Sequence, residues 1–326
     1  MPRRAAVYEV GMHDVEEPVS DLDLPGGRPG RRRRRGVAIL PALFTLGNCL
    51  SGFASISFSA RGLDKPPGEF ASYYAIAGYF IFLAMIFDMF DGFVARLTRS
   101  ASDFGAELDS LADMVSFGIA PAFMSIHLIG SLLHTPDVKY YEFPGPFQEN
   151  AWLRLFWVIA GIYVSCTALR LARFNVINKH EISSHMSFRG MPSPGAAAVV
   201  ASTVIFFEGL RTGSHMLPFN VSPQMIDWLK ALFPYLVPVV LLISALLMVS
   251  RFAYTHLINR FLRGRKKFRT LVAVFLLIMV IVVEPQLAVI TAIYLYALSA
   301  PVMWLLALVT GKGRRPGGKA VMTEHQ

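Results

Sequence analysis

Charge is scarce in this chain. Of its 326 residues, 16% are charged and 54% hydrophobic, whereas a soluble domain carries about 25% charged residues. An ordinary water-soluble globule is therefore excluded, and a polytopic membrane protein is expected. Cysteine is rarer still. Cys49 and Cys166 both lie within apolar runs and show neither a pairing pattern nor metal-ligand spacing, so they read as packed thiols. No repeat of fixed period is present. The net charge of +9 would suit a nucleic-acid binder, but the basic residues fall in short runs between apolar segments, which is the pattern of membrane topology.

What is present is a succession of apolar runs. Residues 1–30 mix acids, arginines, proline and glycine without apolar periodicity and read as a disordered tail. Arg31 to Arg35 follow, then an apolar run from Val37 to about Phe58, long enough to span and closed by no small-residue cleavage site. Further spans are expected at about 73–94, 108–132, 152–171, 194–210, 234–250, 268–283 and 286–310, the last two separated by Glu284-Pro285, a helix break suited to a tight hairpin. The fold class is thus all-α, a membrane bundle of about eight helices. Segments expected to be cytoplasmic carry Arg31 to Arg35, Arg96, Arg99, Arg170, Arg173, Lys179, Arg189, the run from Arg251 to Arg269, and Lys312 to Lys319. The outer loops hold only Arg61, Lys65, Lys139, Arg211 and Lys230. This bias places both termini inside. The basic run from Arg260 to Arg269 reads as a topology anchor or an anionic-lipid contact.

Acids cluster at one place, in DMFDGFVARLTRSASDFGAELDSLAD from Asp88 to Asp113. Asp88 and Asp91 are three apart and Asp109 and Asp113 four apart, so each pair shares a helix face and two helices can aim four carboxylates at one point. A charged side chain at the centre of a membrane helix costs roughly 2.5–3.5 kcal/mol, and like charges add to it, so a cation is needed. Oxygen-only ligands suit hard divalent ions such as Mg2+ or Mn2+, and two such ions are the usual device for in-line displacement at phosphorus. Gly92 and Gly105 remove side chains where a ligand must come close, and Arg96 is placed to pair with a phosphate. Taken alone, the acids are equally compatible with an ion pathway or with solvated charges flanking two spans.

Two flanking stretches add polar groups. Thr45, Asn48 and Ser51 lie three apart on the first span, a pattern that also serves helix packing. Arg170 and Arg173 stand at the exit of the fourth span, before a loop ending FRGMPSPGAAA that contributes Arg189. They suit positive-inside anchors, and equally a site for an acceptor's carboxylate or a donor's diphosphate.

The full spacing D-x2-D-G-x2-A-R-x8-G-x3-D-x3-D fills eight positions within 26 residues and resembles, without a departure, the signature of the CDP-alcohol phosphatidyltransferase family. Pro41-x3-Thr45-x2-Asn48 resembles the motif that this family carries on its first helix near the nucleotide. With LDSLADMVSFGIAPA after the acids, the flanks are most similar to the bacterial branch whose acceptor is L-serine. The resemblance implies a six-helix family core plus a C-terminal hairpin, with a membrane domain over 37–254 between a basic-ended tail (1–36), a basic loop and hairpin (255–311) and a cytoplasmic tail (312–326). It implies transfer of a phosphatidyl group from CDP-diacylglycerol to L-serine at the cytoplasmic face of a bacterial inner membrane, by an enzyme that commonly forms homodimers. Asp88, Asp91 and Asp109 would ligate Mg2+ or Mn2+, with Asp113 near the second ion and acting as general base. Thr45, Asn48, Gly92, Arg96 and Gly105 would shape the CDP pocket, and Arg170, Arg173 and Arg189 would bind acceptor or diphosphate. Glycerol 3-phosphate, inositol phosphate and choline stay open as acceptors, and a cation transporter as a different class. The unrelated phosphohistidine route needs H-x-K, and none of the eight histidines is followed by x-Lys.

Overall fold

A computed structural model of the protein describes residues 31–62, 73–98, 103–133, 145–147, 150–180, 190–212, 222–252, 254 and 285–309. Long apolar runs with few glycines fold as helices, since in lipid a helix satisfies every backbone group within the segment. The described elements are α1 (Arg31–Arg61), α2 (Tyr73–Thr98), α3 (Asp103–Asp113), a π-helical turn (Met114–Ile119), α4 (Ala120–Leu133), α5 (Ala151–His180), α6 (Ser193–Thr212), α7 (Pro223–Val249) and α8 (Pro285–Val309). No strand occurs among the described residues.

Six stretches are long and apolar enough to cross a membrane: Leu40–Arg61, Phe104–Leu132, Ala151–Val176, Ser193–Arg211, Ala231–Val249 and Leu287–Leu306. With α2 they coincide with seven of the eight expected spans. The expected span at 268–283, the basic run before it, and the tails at 1–30 and 312–326 lie outside the described residues. Several elements run further than their apolar cores. α1 starts at Arg31, α7 starts at Pro223 behind a Ser222 cap that accepts from the Met225 amide, and α5 continues to His180. Arg170 and Arg173 therefore stand inside a helix rather than at its exit. Pro285 opens α8, the first-turn position where proline's missing N–H costs nothing.

α2 packs most extensively along α1, and α6 sits at the centre, against α2, α7, α8 and α4. Small side chains let these helices approach: Ala196, Ala197 and Ala201 of α6 and Ala77 and Ala84 of α2 are fully enclosed. Large apolar groups such as Leu50, Phe53, Leu169, Leu246 and Leu295 point outward, as a bundle solvated by lipid requires. The chain is a polytopic helical membrane protein.

A π-helical turn interrupts the span Phe104–Leu132. Two of its residues are tied to neighbouring helices: Tyr163 Oη of α5 donates to Phe117 O at 3.0 Å, and Ser116 Oγ donates to Asn48 O of α1 at 2.8 Å. The second bond needs a near approach of the two backbones. A Cβ on Gly52 would sit 2.8 Å from Ser116 Cα, so glycine is required there.

Candidate active site

Asp88 and Asp91 occupy the last three turns of α2, and Asp109 and Asp113 close α3 just before the π-helical turn. The fold brings the two helices together at this end. One carboxylate oxygen from each of Asp88, Asp91 and Asp109 lies within 4.8 Å of the others. Asp113 stands outside that trio but is near enough to all three for their charges to interact. It is buried and accepts a 3.0 Å hydrogen bond from Asn48 Nδ2, while Thr45 Oγ1 lies 3.1 Å from Asp91 Oδ2 and 3.2 Å from Pro41 O. The polar face of α1 thus does more than pack helices. Thr45 and Asn48 each hold one carboxylate in place.

These acids are short of positive charge. Among the described residues no lysine or arginine forms an ion pair with any of the four, and Asp109 Oδ1 is buried with no hydrogen-bond donor. Two full charges 4.8 Å apart repel by about 3 kcal/mol at an effective dielectric of about 20. An all-oxygen donor set with an unmet buried acceptor fits a hard divalent cation. Beside it, a Cβ on Gly92 would touch nothing but the Arg96 guanidinium, at 3.5 Å and beyond, so an open cradle lies under a cationic arm. Gly105 is half-buried in the first turns of α3.

On the other side of the site, Arg170 is half-buried. Its Nη1 donates to Ser193 Oγ at 2.9 Å, its buried Nε has no partner, and its charge interacts with Asp113. Arg173, nearly one turn on, is exposed, and Arg189 lies outside the described residues. Gly190 just after it is anchored: its amide donates to Phe252 O at 2.8 Å and that of Met191 to Leu247 O at 2.9 Å, with Gly190 at φ +91°. Sequence reasoning missed Ser193, Ser116 and Asn175. Ser193 lies in the MPSPG stretch with nothing to separate it from a helix cap, and Asn175, paired with Ser110 of α3 at 2.9 Å, stands among ordinary polar residues near the arginines.

The comparisons with known proteins agree with this geometry. The model of the CDP-alcohol phosphatidyltransferase family matches residues 38–233, more than half of the chain. The chain belongs to this family. The match begins within α1, ahead of Thr45, and ends in α7, so α8 lies beyond it. Among curated relatives, a CDP-diacylglycerol–serine O-phosphatidyltransferase of Helicobacter pylori is 28% identical over 272 residues, 83% of this chain and 93% of that protein. Proteins of the same name are 32% identical in Mycobacterium tuberculosis, over 60% of each chain, and 36% identical in Saccharomyces cerevisiae, over 48% of this chain and 50% of that one. The chemistry class is therefore transfer of a phospho group from a CDP-alcohol, in phospholipid biosynthesis.

Proposed function

We propose that the protein transfers the phosphatidyl group of CDP-diacylglycerol to L-serine, giving phosphatidylserine and CMP. The observation that carries this reading is the meeting of four carboxylates from α2 and α3 opposite a single half-buried guanidinium from α5. Asp88, Asp91 and Asp109 would hold Mg2+ or Mn2+, with Asp113 beside a second ion. When bound, such ions neutralise the charge of the diphosphate and of the departing nucleotide.

The chain's own residues account for the rest. Thr45 and Asn48 fix Asp91 and Asp113 from α1, so the acids are set before substrate arrives. Asp113, with one oxygen committed to Asn48, takes the proton of the serine hydroxyl on its carboxylate. The serine oxygen then forms its bond to the lipid-side phosphorus while the bond from that phosphorus to the oxygen of CMP breaks, and CMP leaves with the electron pair. Gly92 and Gly105 leave room for the nucleotide, and Arg96 reaches over it. Arg170 orients the acceptor by its carboxylate. The donor's acyl chains stay between helices on the lipid side, and the site opens to the cytoplasm, a reading that the positive-inside bias supports.

The test is CMP release from CDP-diacylglycerol by the purified protein with Mn2+ or Mg2+, comparing L-serine with glycerol 3-phosphate, inositol phosphate and choline. Release with serine alone is the expected result. Release with another alcohol instead would move the acceptor, and flux of cations across liposomes without CMP release would replace the reading altogether.

A further inference from the structure

The acceptor half of the site borrows from a helix that the family match does not reach. The match ends at residue 233, yet α8 packs against α6 and sets Tyr296 beside the first turn of α6, where a Cβ on Gly195 would lie 3.3 Å from Tyr296 Cε1. Ser193, which receives Arg170, is two residues away in the same turn. The Tyr296 phenol and the Arg170 guanidinium lie within electrostatic reach of one another. Tyr296 is also held from behind. The Tyr254 ring packs on it at a centroid distance of 5.6 Å, and Tyr254 Oη donates to Ala297 O at 2.9 Å.

We propose that Tyr296 closes the acceptor pocket around Arg170, its neutral hydroxyl and that one guanidinium together selecting an alcohol that carries a carboxylate. The inference rests on the function proposed above. A carboxylate bears one negative charge, and Arg170 is the only described cation directed to Ser193, since Arg173 is exposed. A phosphate acceptor brings nearly two charges and calls for more than one cation, whereas a hydroxyl adds a hydrogen bond without adding charge. Arg170 Nε, buried and unpartnered, supplies a further donor to the same anion.

The experiment measures the KM for L-serine, the KM for CDP-diacylglycerol and the unfolding midpoint of the full-length protein. Tyr296→Phe keeps the ring and is expected to raise the serine KM about five- to tenfold, with donor KM and midpoint unchanged. Gly195→Ala, which pushes the ring from the α6 side, is expected to act in the same direction. In an Arg170→Lys background, Tyr296→Phe should add nothing, because both act on one anion. Tyr294→Phe, which loses the 2.6 Å contact with Thr203 on the same pair of helices, should change neither KM. An unaltered serine KM in Tyr296→Phe, an equal rise in both KM values, or additivity with Arg170→Lys would overturn the inference while leaving the proposed function standing. Wild-type protein that releases CMP with no alcohol, or only with a phosphorylated one, would overturn the proposed function, and the inference with it.

Discussion

Replacing Asp109 by Asn removes one charge from a trio whose oxygens lie within 4.8 Å of one another. Each pair of full charges at that distance repels by about 3 kcal/mol at an effective dielectric of about 20, and Asp109 takes part in two pairs. Asp88 and Asp109 are only half-buried, so solvent screening reduces the relief to roughly a third, about 2 kcal/mol. The amide is nearly isosteric with the carboxylate. In EDTA, therefore, Asp109→Asn should be more stable than wild type, with a midpoint higher by roughly 3 °C, since the unfolding entropy of about 2.1 cal/mol/K per residue scales with the 326 residues. Millimolar Mn2+ or Mg2+ should reverse the order, raising the wild-type midpoint and leaving the variant nearly where it was. Unfolding followed by fluorescence of the four tryptophans, with and without chelator, reads both quantities without reference to activity. Turnover should stop in EDTA and return with either ion. A variant less stable than wild type in EDTA, or stabilised equally by Mn2+, would refute the assignment of these carboxylates to a cation.

Asp113→Asn should retain CDP-diacylglycerol binding while turnover falls about a thousandfold; equilibrium binding of the donor beside CMP release separates the two, and lost binding would make Asp113 a ligand rather than a base. Gly52→Val forces side-chain atoms into Ser116, whose Oγ and Cα lie 2.5 and 2.8 Å from the position of a Cβ, and should cost about 2–3 kcal/mol of stability, seen as a lowered midpoint. Gly190→Ala adds a Cβ that clashes with Met248 O at φ +91°, so it should lower the midpoint and raise the serine KM by displacing nearby Ser193, the partner of Arg170, with little change in donor KM.

The acidic half of the site was legible because its residues are rare where they stand. Four aspartates beside two apolar runs carry a cost that demands a reason, and their three- and four-residue spacings show how helices gather them. Thr45 and Asn48 were less distinct, since polar groups on a membrane helix also serve packing; only their bonds to Asp91 and Asp113 separate the two roles. The cationic half was legible only in part. Arginines at span ends are common as anchors, and nothing in ALRLARFN marks Arg170 as the half-buried member and Arg173 as the exposed one. The π-helical turn left no trace, because Met114–Ile119 reads as ordinary apolar helix and the turn is tied to Tyr163 and Asn48 of neighbouring elements. Tyr296 is one of three aromatics in α8, and its position emerges only when α8 docks on α6.

The placement of the site at helix ends suits the two substrates of the proposed reaction. CDP-diacylglycerol keeps its acyl chains in lipid, so its diphosphate lies at the membrane surface, whereas L-serine arrives from water. Carboxylates at the last turns of α2 and in α3, which opens the span Phe104–Leu132, stand at that boundary, where burial costs less than at the centre of a helix. In the proposed reaction the division of labour follows the same line: α1 to α3 would carry the groups that meet the anionic donor's counter-ions, and α5, α6 and α8 would carry Arg170, Ser193 and Tyr296 for the acceptor. Asp113 lies between, joined to α1 through Asn48 and in electrostatic contact with Arg170. As the proposed base, Asp113 would meet the serine hydroxyl between the two halves, so changes in the acceptor half should raise the KM for serine and leave the donor's affinity alone.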